Sequence, residues 1–239
     1  MKIIKHLLWH SCSVSLLLCC FGLAWQIAKG IDYGYPWFYD MLAIDQHIAT
    51  YAPQNRLHKD NFVTTEKAQH LQLFEDIATA INNGGIGLTQ LHYRVDGVFY
   101  TLLTKDEVIH LQDVANLVDK GKRLWWVNLA VLSSLLVICY RYRLHKPSRR
   151  QRIWLVTTVT SLIVALFATF GFKKIFAYLH TLLFPPENPW FFYYQGSLMS
   201  TSMKAPDLFA VIGLLLLAIT LAIFALLHCL LTKCTTSEK

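Results

Sequence analysis

The chain has 239 residues, of which 54% are hydrophobic, and a formal net charge of +7 at pH 7. This apolar content, with a mean hydropathy of +0.38, is too high for an ordinary soluble domain. No stretch interleaves basic and aromatic residues as a nucleic-acid-binding surface does, so we expect no nucleic-acid partner.

Four stretches with almost no charge predict four transmembrane helices, because a bilayer core needs about 20 helical residues. They cover residues 7–28, 124–140, 153–172 and 207–231. The first stretch is long and is followed by no A-x-A cleavage site. We therefore expect it to remain as an uncleaved helix and not to act as a signal peptide.

Residues 30–123, between the first two predicted spans, have local signals of a folded domain. A helix is expected from about residue 37 up to Pro53, which ends it. A second helix is expected before Asn83-Gly84-Gly85, a strong helix stop.

The second half of this domain changes from helical to alternating periodicity. Apolar residues alternate on both sides of Asp96-Gly97, which predicts a β-hairpin over 89–103. Thr104 and Glu107 then form a capping box, which predicts a further helix. The predicted fold class is an all-α membrane protein with four transmembrane helices and a small α+β extracytoplasmic domain between helices 1 and 2.

The short loop 141–152 sets the predicted orientation, because cytoplasmic loops carry an excess of Lys and Arg. Its basic residues are Arg141, Arg143, Lys146, Arg149, Arg150 and Arg152. Both termini are therefore expected in the cytoplasm, with residues 30–123 and 173–206 on the outer side.

The segment 173–206 is expected to lie at the outer membrane surface or to dip into it. Its first part is apolar, but three prolines then prevent a helix from continuing: Pro185, Pro186 and Pro189. Trp190 and Tyr193 are expected to lie at headgroup depth. The segment should then close a mainly apolar cavity that faces the outer leaflet.

Two histidines on the predicted outer side are candidates for proton transfer, because imidazole titrates near neutral pH. His110 lies on the helix after the hairpin, and Asp113 follows on the same helical face, where it could hold one tautomer of the ring. His180 lies at the membrane boundary, and we expect its segment to pack against the His110 helix. The alternative for each is a surface histidine that only makes hydrogen bonds.

The remaining histidines carry weaker signals. Four of them are expected to be solvent-exposed in the outer domain: His47, His58, His70 and His92. His10 and His228, toward the cytoplasmic ends of helices, could ligate a haem axially, which leaves a redox protein as an alternative. No spacing typical of a metal site occurs, so we expect neither a metal nor a cofactor. The six cysteines all fall in predicted helices or near their inner ends, which argues against disulfide exchange on the outer side.

Two local signatures carry a resemblance to a known family. One is DEVIHLQDVANL, with His110 and Asp113. The other is LHTLLFPPENPWFF, with His180, Phe184, Pro185, Trp190 and Phe192. Together with the order of one helix, an outer domain and three more helices, they resemble Lit, the bacterial lipoprotein intramolecular transacylases.

The resemblance implies acyl transfer at the outer face of the bacterial cytoplasmic (inner) membrane. In the family, the sn-2 acyl chain of a lipoprotein's diacylglyceryl-cysteine moves to the α-amine of that cysteine. His110 and His180 match the family's two histidines and are expected to be catalytic. The expected supporting or substrate-binding residues are Asp113, Phe184, Asn188 and Trp190.

This reaction fits the residues, because the nucleophile is the amine of the substrate and no serine or cysteine of the enzyme is needed. The expected partners are a diacylglyceryl lipoprotein or a related lipid, and membrane lipids, and the expected state is a monomer. The alternative on the same scaffold is a non-enzymatic protein that binds lipid or lipoprotein at the outer leaflet. Catalysis requires both imidazoles to face one site, whereas binding alone does not.

Overall fold

The computed structural model describes residues 2–142 and 149–234, and this part of the chain is mostly helical. Its helices are α1 (Lys2–Lys29), α2 (Tyr35–Met41), α3 (Ile44–Tyr51), α4 (Lys67–Asn82), α5 (Lys105–Arg141), α6 (Arg149–Leu183), α7 (Leu198–Met203) and α8 (Asp207–Cys234). Two antiparallel strands, β1 (His92–Val95) and β2 (Val98–Thr101), form a small sheet. Short 3₁₀ turns connect several of these elements.

Three helical segments among the described residues are long and apolar enough to cross a membrane: His6–Lys29, Lys105–Arg141 and Asp207–His228. They contain the predicted spans 7–28 and 124–140 and most of the span predicted over 207–231. The span predicted over 153–172 lies within α6 and is not among the three, so four spans remain a prediction. Half of the basic loop predicted over 141–152 lies outside the described residues.

One compact unit is drawn from Met1–Gln26, Lys122–Ile175 and Leu216–Lys239. Its core contains the buried side chains of Cys12, Leu16, Cys19, Cys20 and Leu132. Ser15 Oγ donates to Asn128 Oδ1 at 2.9 Å, and Asn128 Nδ2 donates to the Ser15 carbonyl at 2.9 Å. This reciprocal pair joins α1 to α5, as polar side chains commonly do between membrane helices.

The second compact unit consists of Ile27–Gly121 and Phe176–Leu215. Aromatic rings fill much of its core: Tyr35 stacks on Phe74 at a centroid distance of 4.0 Å, and Phe62 meets Tyr93 edge-on at 5.1 Å. The first contact joins α2 to α4, and the second joins the turn at 60–64 to β1.

The helix predicted from about residue 37 to Pro53 is in fact two helices, α2 and α3. The break falls at Ala43, whose φ of 49° lies in the left-handed region. The bend directs Ile44 and Ile48 into the core, where each is almost fully buried. Neither glycine nor proline marks this break in the sequence, so burial of α3 decides it.

The hairpin and the capping box are confirmed. Asp96 and Gly97 both have positive φ values, of 49° and 83°, as a type I′ turn requires, and they connect β1 to β2. Glu107 Oε2 accepts the Thr104 N–H at 2.5 Å, and Thr104 Oγ1 accepts the Glu107 N–H at 3.3 Å. This exchange satisfies backbone donors at the start of α5.

The chain of α6 bends at Gly171, whose φ of 71° and ψ of 155° are not helical. The helix resumes and ends at Leu183, just before Pro185 and Pro186, so the prediction that these prolines end it is confirmed. His180 therefore lies in the last turn of a helix.

His70 is buried, with 4% of its surface exposed, so the prediction that it is solvent-exposed is wrong. It lies on the packed face of α4, one turn before Leu73 and Phe74. Its Nδ1 contacts Tyr39 Oη at 2.8 Å and its Nε2 contacts Thr65 Oγ1 at 2.7 Å. These two bonds offset the cost of burying the ring.

The other outer histidines differ from one another in exposure. His58 and His92 are exposed, as predicted. His47 is half-buried, because its ring packs against Tyr51 at 4.6 Å and Tyr194 at 4.4 Å between centroids. The prediction of exposure is therefore wrong for His47 as well.

Candidate active site

The first turns of α5 hold His110 in a fixed position. Glu107, one turn earlier, is fully buried, and Ser197 Oγ donates a hydrogen bond to its Oε1. Together with the Thr104 N–H, Ser197 satisfies this buried carboxylate and ties the start of α5 to the segment that precedes α7. His110 itself is only 8% exposed.

His180 is held by its own helix. Its Nδ1 lies 2.8 Å from the carbonyl oxygen of Phe176, one turn earlier. Because a carbonyl can only accept, Nδ1 carries the proton of the neutral ring. Nε2 then has a free lone pair and is the atom that can take up a proton.

The two imidazoles face each other, with ring centroids 6.0 Å apart and planes inclined by 33°. Phe184 contacts both rings, at 5.0 Å from His110 and 5.2 Å from His180. Trp190 lies 5.0 Å from His180, and Phe192 lies 5.8 Å from His110. The structure therefore brings together two histidines that are 70 positions apart in the sequence, within a group of aromatic rings.

Asp113 and Asn188 connect the loop after α6 to α5. Asn188 Nδ2 donates to Asp113 Oδ2 at 2.6 Å. The sequence suggested that Asp113 would hold the His110 tautomer, but its hydrogen bond goes to Asn188 instead. The carboxylate acts on the His110 ring through its charge.

Both imidazoles are less basic than a histidine in water. His110 precedes the apolar stretch of α5 by more than three helical turns. Burial, with a smaller contribution from the nearby His180, lowers the pKa of His110 to about 4, and the charge of Asp113 acts in the opposite direction. Burial also lowers the pKa of His180, while its bond to the Phe176 carbonyl partly opposes this. Both rings are therefore neutral at pH 7, and each can accept a proton.

Three neighbours of these residues were not predicted to belong to the site. Phe176 contacts the His180 ring at 4.0 Å, and the one-turn spacing of the two residues is the signal that could have indicated it. Glu107 was predicted only as a helix cap. Ser197 had no local signal, since its partner Glu107 is 90 positions away in the sequence.

Within residues 2–142 and 149–234, no three His, Cys, Asp or Glu side chains come together as metal ligands would. His228, one of the two suggested haem ligands, instead packs its ring against Trp9 at 6.3 Å and Phe224 at 5.3 Å. These contacts agree with a role in helix packing.

Long apolar helices and a pair of facing histidines define an integral membrane protein with a candidate acid–base site. The family model of the lipoprotein intramolecular transacylase Lit matches residues 11–199, which is most of the chain. The chain therefore belongs to the Lit family, and this membership supports a lipoprotein transacylase function.

Solved structures of the membrane integral lipoprotein intramolecular transacylase Lit from Bacillus cereus share the fold. A variant of that protein with a histidine replaced by alanine has a TM-score of 0.63 and 17% identity, over 95% of this chain and 91% of that chain. A variant with arginine at a histidine position has a TM-score of 0.61 and 17% identity, over 98% and 95% of the two chains. No functionally curated protein matches the chain.

Proposed function

We propose that this protein moves an acyl chain from the diacylglyceryl group of a lipoprotein to the α-amine of its N-terminal cysteine. The observation that carries the proposal is the facing pair of neutral imidazoles, His110 and His180, within a group of aromatic rings. An apolar surrounding suits acyl chains, and neutral imidazoles suit proton transfer.

In the proposed reaction, the amine attacks the ester carbonyl, a C–N bond forms and the C–O bond to glycerol breaks. His180 Nε2 takes the proton that the nitrogen loses, and the same proton then goes to the glycerol oxygen as it leaves. We expect His110, whose ring centroid lies 6.0 Å from that of His180, to share this transfer. Holding the amine and the ester together in one substrate molecule supplies several kcal/mol of the barrier reduction.

The proposed supporting residues keep this arrangement rigid. Asp113 and Asn188 fix the loop that carries Trp190, and the buried side chain of Phe184 packs against both imidazole rings. Because all these residues come from one chain, a monomer contains the whole proposed site.

The proposed topology has four spans, with both termini in the cytoplasm of a bacterial cell and with residues 30–123 and 173–206 outside the inner membrane. The basic loop 141–152 supports this orientation. A Val98→Cys variant tests it, because Val98 is exposed near the hairpin turn. A membrane-impermeant thiol reagent should label this position in intact spheroplasts. If labelling requires permeabilised membranes, the orientation is the reverse of the proposed one and the histidines lie on the cytoplasmic side.

The function is tested with the purified protein in nanodiscs and a synthetic diacylglyceryl-cysteine peptide. The reaction is an isomerisation that leaves the intact mass unchanged, so tandem mass spectrometry must locate the acyl chain on nitrogen. A mixture of isotopically distinct substrates should give no product with exchanged chains, because transfer is intramolecular.

His180→Gln should insert normally and lose about 10²- to 10⁴-fold of the rate, the usual contribution of general acid–base catalysis. His110→Gln should do likewise. The matched control is His58→Asn, which replaces an exposed histidine with a residue that tolerates its positive φ of 56°. If His180→Gln converts the substrate at close to the wild-type rate, His180 is not the catalytic base and other residues carry the reaction. If the wild-type protein converts no substrate, the alternative of a non-enzymatic lipid or lipoprotein binder is favoured.

A further inference from the structure

Strand β2 has a free edge. In the hairpin register, the pairs Val95↔Val98 and Tyr93↔Tyr100 exchange backbone hydrogen bonds, and Leu102 N–H donates to the Leu91 carbonyl at 2.8 Å in the same alternation. The backbone N–H and C=O groups of the intervening residues, Phe99 and Thr101, therefore point away from β1. Within the described part of the chain, no group pairs with them.

The opposite edge of the hairpin is closed at Arg94. Gln69 Oε1 accepts the Arg94 N–H at 2.7 Å, and Gln69 Nε2 donates to the Arg94 carbonyl at 3.0 Å. The side-chain amide thus takes the place of a neighbouring strand. This contact protects the β1 edge at Arg94, and among residues 2–142 and 149–234 no side-chain amide does the same for β2.

The residues of β2 are suited to pairing with another strand. Phe99 is 69% exposed and Val98 is 53% exposed. Exposed edges are usually protected by charged residues, proline or a bulge, but the sequence of β2 is Val-Phe-Tyr-Thr. An extended chain can bond to the free backbone groups here, and its side chains can pack beside Phe99.

The free edge leads directly to the helix that carries His110. Leu102 and Leu103, both buried, connect β2 to Thr104 and the start of α5. From Thr101 to His110 the chain continues through three extended residues and six helical residues, which together span at most about 20 Å. A peptide of about six extended residues covers that distance.

We propose that the β2 edge binds the polypeptide of the lipoprotein substrate as an added strand, with its acylated cysteine at the histidines. This inference rests on the proposed function. Recognition through backbone groups depends little on the sequence that follows the cysteine, and Phe99 favours an apolar side chain beside it. The segment that pairs lies several residues after the cysteine.

The first test compares Thr101→Pro with Thr101→Ala. Proline removes the N–H that points away from β1, so the hairpin keeps its own bonds, while alanine keeps the N–H. The substrates are a diacylglyceryl-cysteine dipeptide and a peptide of about twelve residues. Thr101→Pro should lower kcat/KM for the long peptide about tenfold, as loss of a backbone hydrogen bond allows, and leave the dipeptide unaffected. Equal values for Thr101→Pro and Thr101→Ala on the long peptide would overturn the proposal.

The second test replaces single backbone N–H groups of the long peptide with N-methyl groups. An added strand bonds through alternate residues, so KM should rise at every second position over a short window. A uniform effect, or none, would contradict strand pairing.

Binding is also measured without turnover, through a Val98→p-benzoylphenylalanine variant that forms photo-crosslinks. A crosslink to the long peptide supports the proposal even if no substrate is converted, in which case the proposed function alone fails. Crosslinks that join two copies of the protein, with none to the peptide, would show that the edge pairs copies of this chain and would overturn the proposal.

Discussion

The hydrogen bond between Asn188 and Asp113 offers a sharp test of how the candidate site is held together. Asn188→Asp replaces the amide donor with a second carboxylate. In the wild-type protein, Asn188 Nδ2 lies 2.6 Å from Asp113 Oδ2. A hydrogen bond to a charged group contributes about 1.5 to 3 kcal/mol. Two like charges about 4 Å apart add about 4 kcal/mol of repulsion at an effective dielectric constant of about 20.

Both residues are partly exposed, so solvent and small movements reduce this cost. We expect the free energy that holds the loop against α5 to fall by about 2 kcal/mol, which should lower the rate of acyl transfer about thirtyfold. Trp190 should move away from His180 as the loop is released.

The loss should depend on pH in a defined direction. Repulsion raises the pKa of one of the two carboxyl groups, and once protonated that group can donate a hydrogen bond to the other. The rate of Asn188→Asp relative to wild type should therefore rise as the pH falls from about 7 to about 5. Dividing the variant rate by the wild-type rate at each pH removes the effect of the titration of the substrate amine, because that effect is the same in both. The control Asn188→Ala should show a smaller deficit that does not depend on pH.

The double variant Asp113→Asn/Asn188→Asp keeps one amide and one carboxylate at the same contact, with their positions exchanged. Its rate in the tandem mass spectrometry assay should recover to within about threefold of wild type, or about 0.6 kcal/mol. A wild-type rate for Asn188→Asp alone would refute the reasoning, because the loop would then not depend on this bond.

Three further outcomes are expected. The ¹³Cε1 resonance of His110 should titrate with a midpoint near 4, and a midpoint at or above 6.5 would contradict burial of its ring. Burial also lowers the pKa of His70 to about 4, so its contribution to stability is complete above pH 6.5 and is lost as the pH falls through 4. The loss amounts to about 3 kcal/mol, and Tm measured against pH should fall less steeply for His70→Gln. Glu107→Ala leaves the Thr104 N–H and the Ser197 hydroxyl without an acceptor and should lower the unfolding free energy by about 2 to 4 kcal/mol. In Glu107→Gln a side-chain oxygen still accepts a hydrogen bond, so this variant should keep most of the stability that alanine loses.

The sequence by itself determined the features that depend on neighbouring residues. Apolar stretches gave the long helices, because only an uninterrupted apolar run suits a bilayer. Asp96-Gly97 gave the hairpin, because its turn needs positive φ at both positions, and Thr104 with Glu107 gave the start of α5. The histidines His110 and His180 were both selected as candidates from local signals.

The tertiary structure decided what depends on residues far apart in the sequence. The 6.0 Å approach of His110 and His180, and the bond between Asn188 and Asp113, join segments that local periodicity does not relate. Burial of His70 depends on Tyr39, which lies 31 positions earlier and offers its hydroxyl to the ring. Local patterns fix backbone conformation, but packing selects which polar side chains are enclosed, because an enclosed polar group must find its partner there.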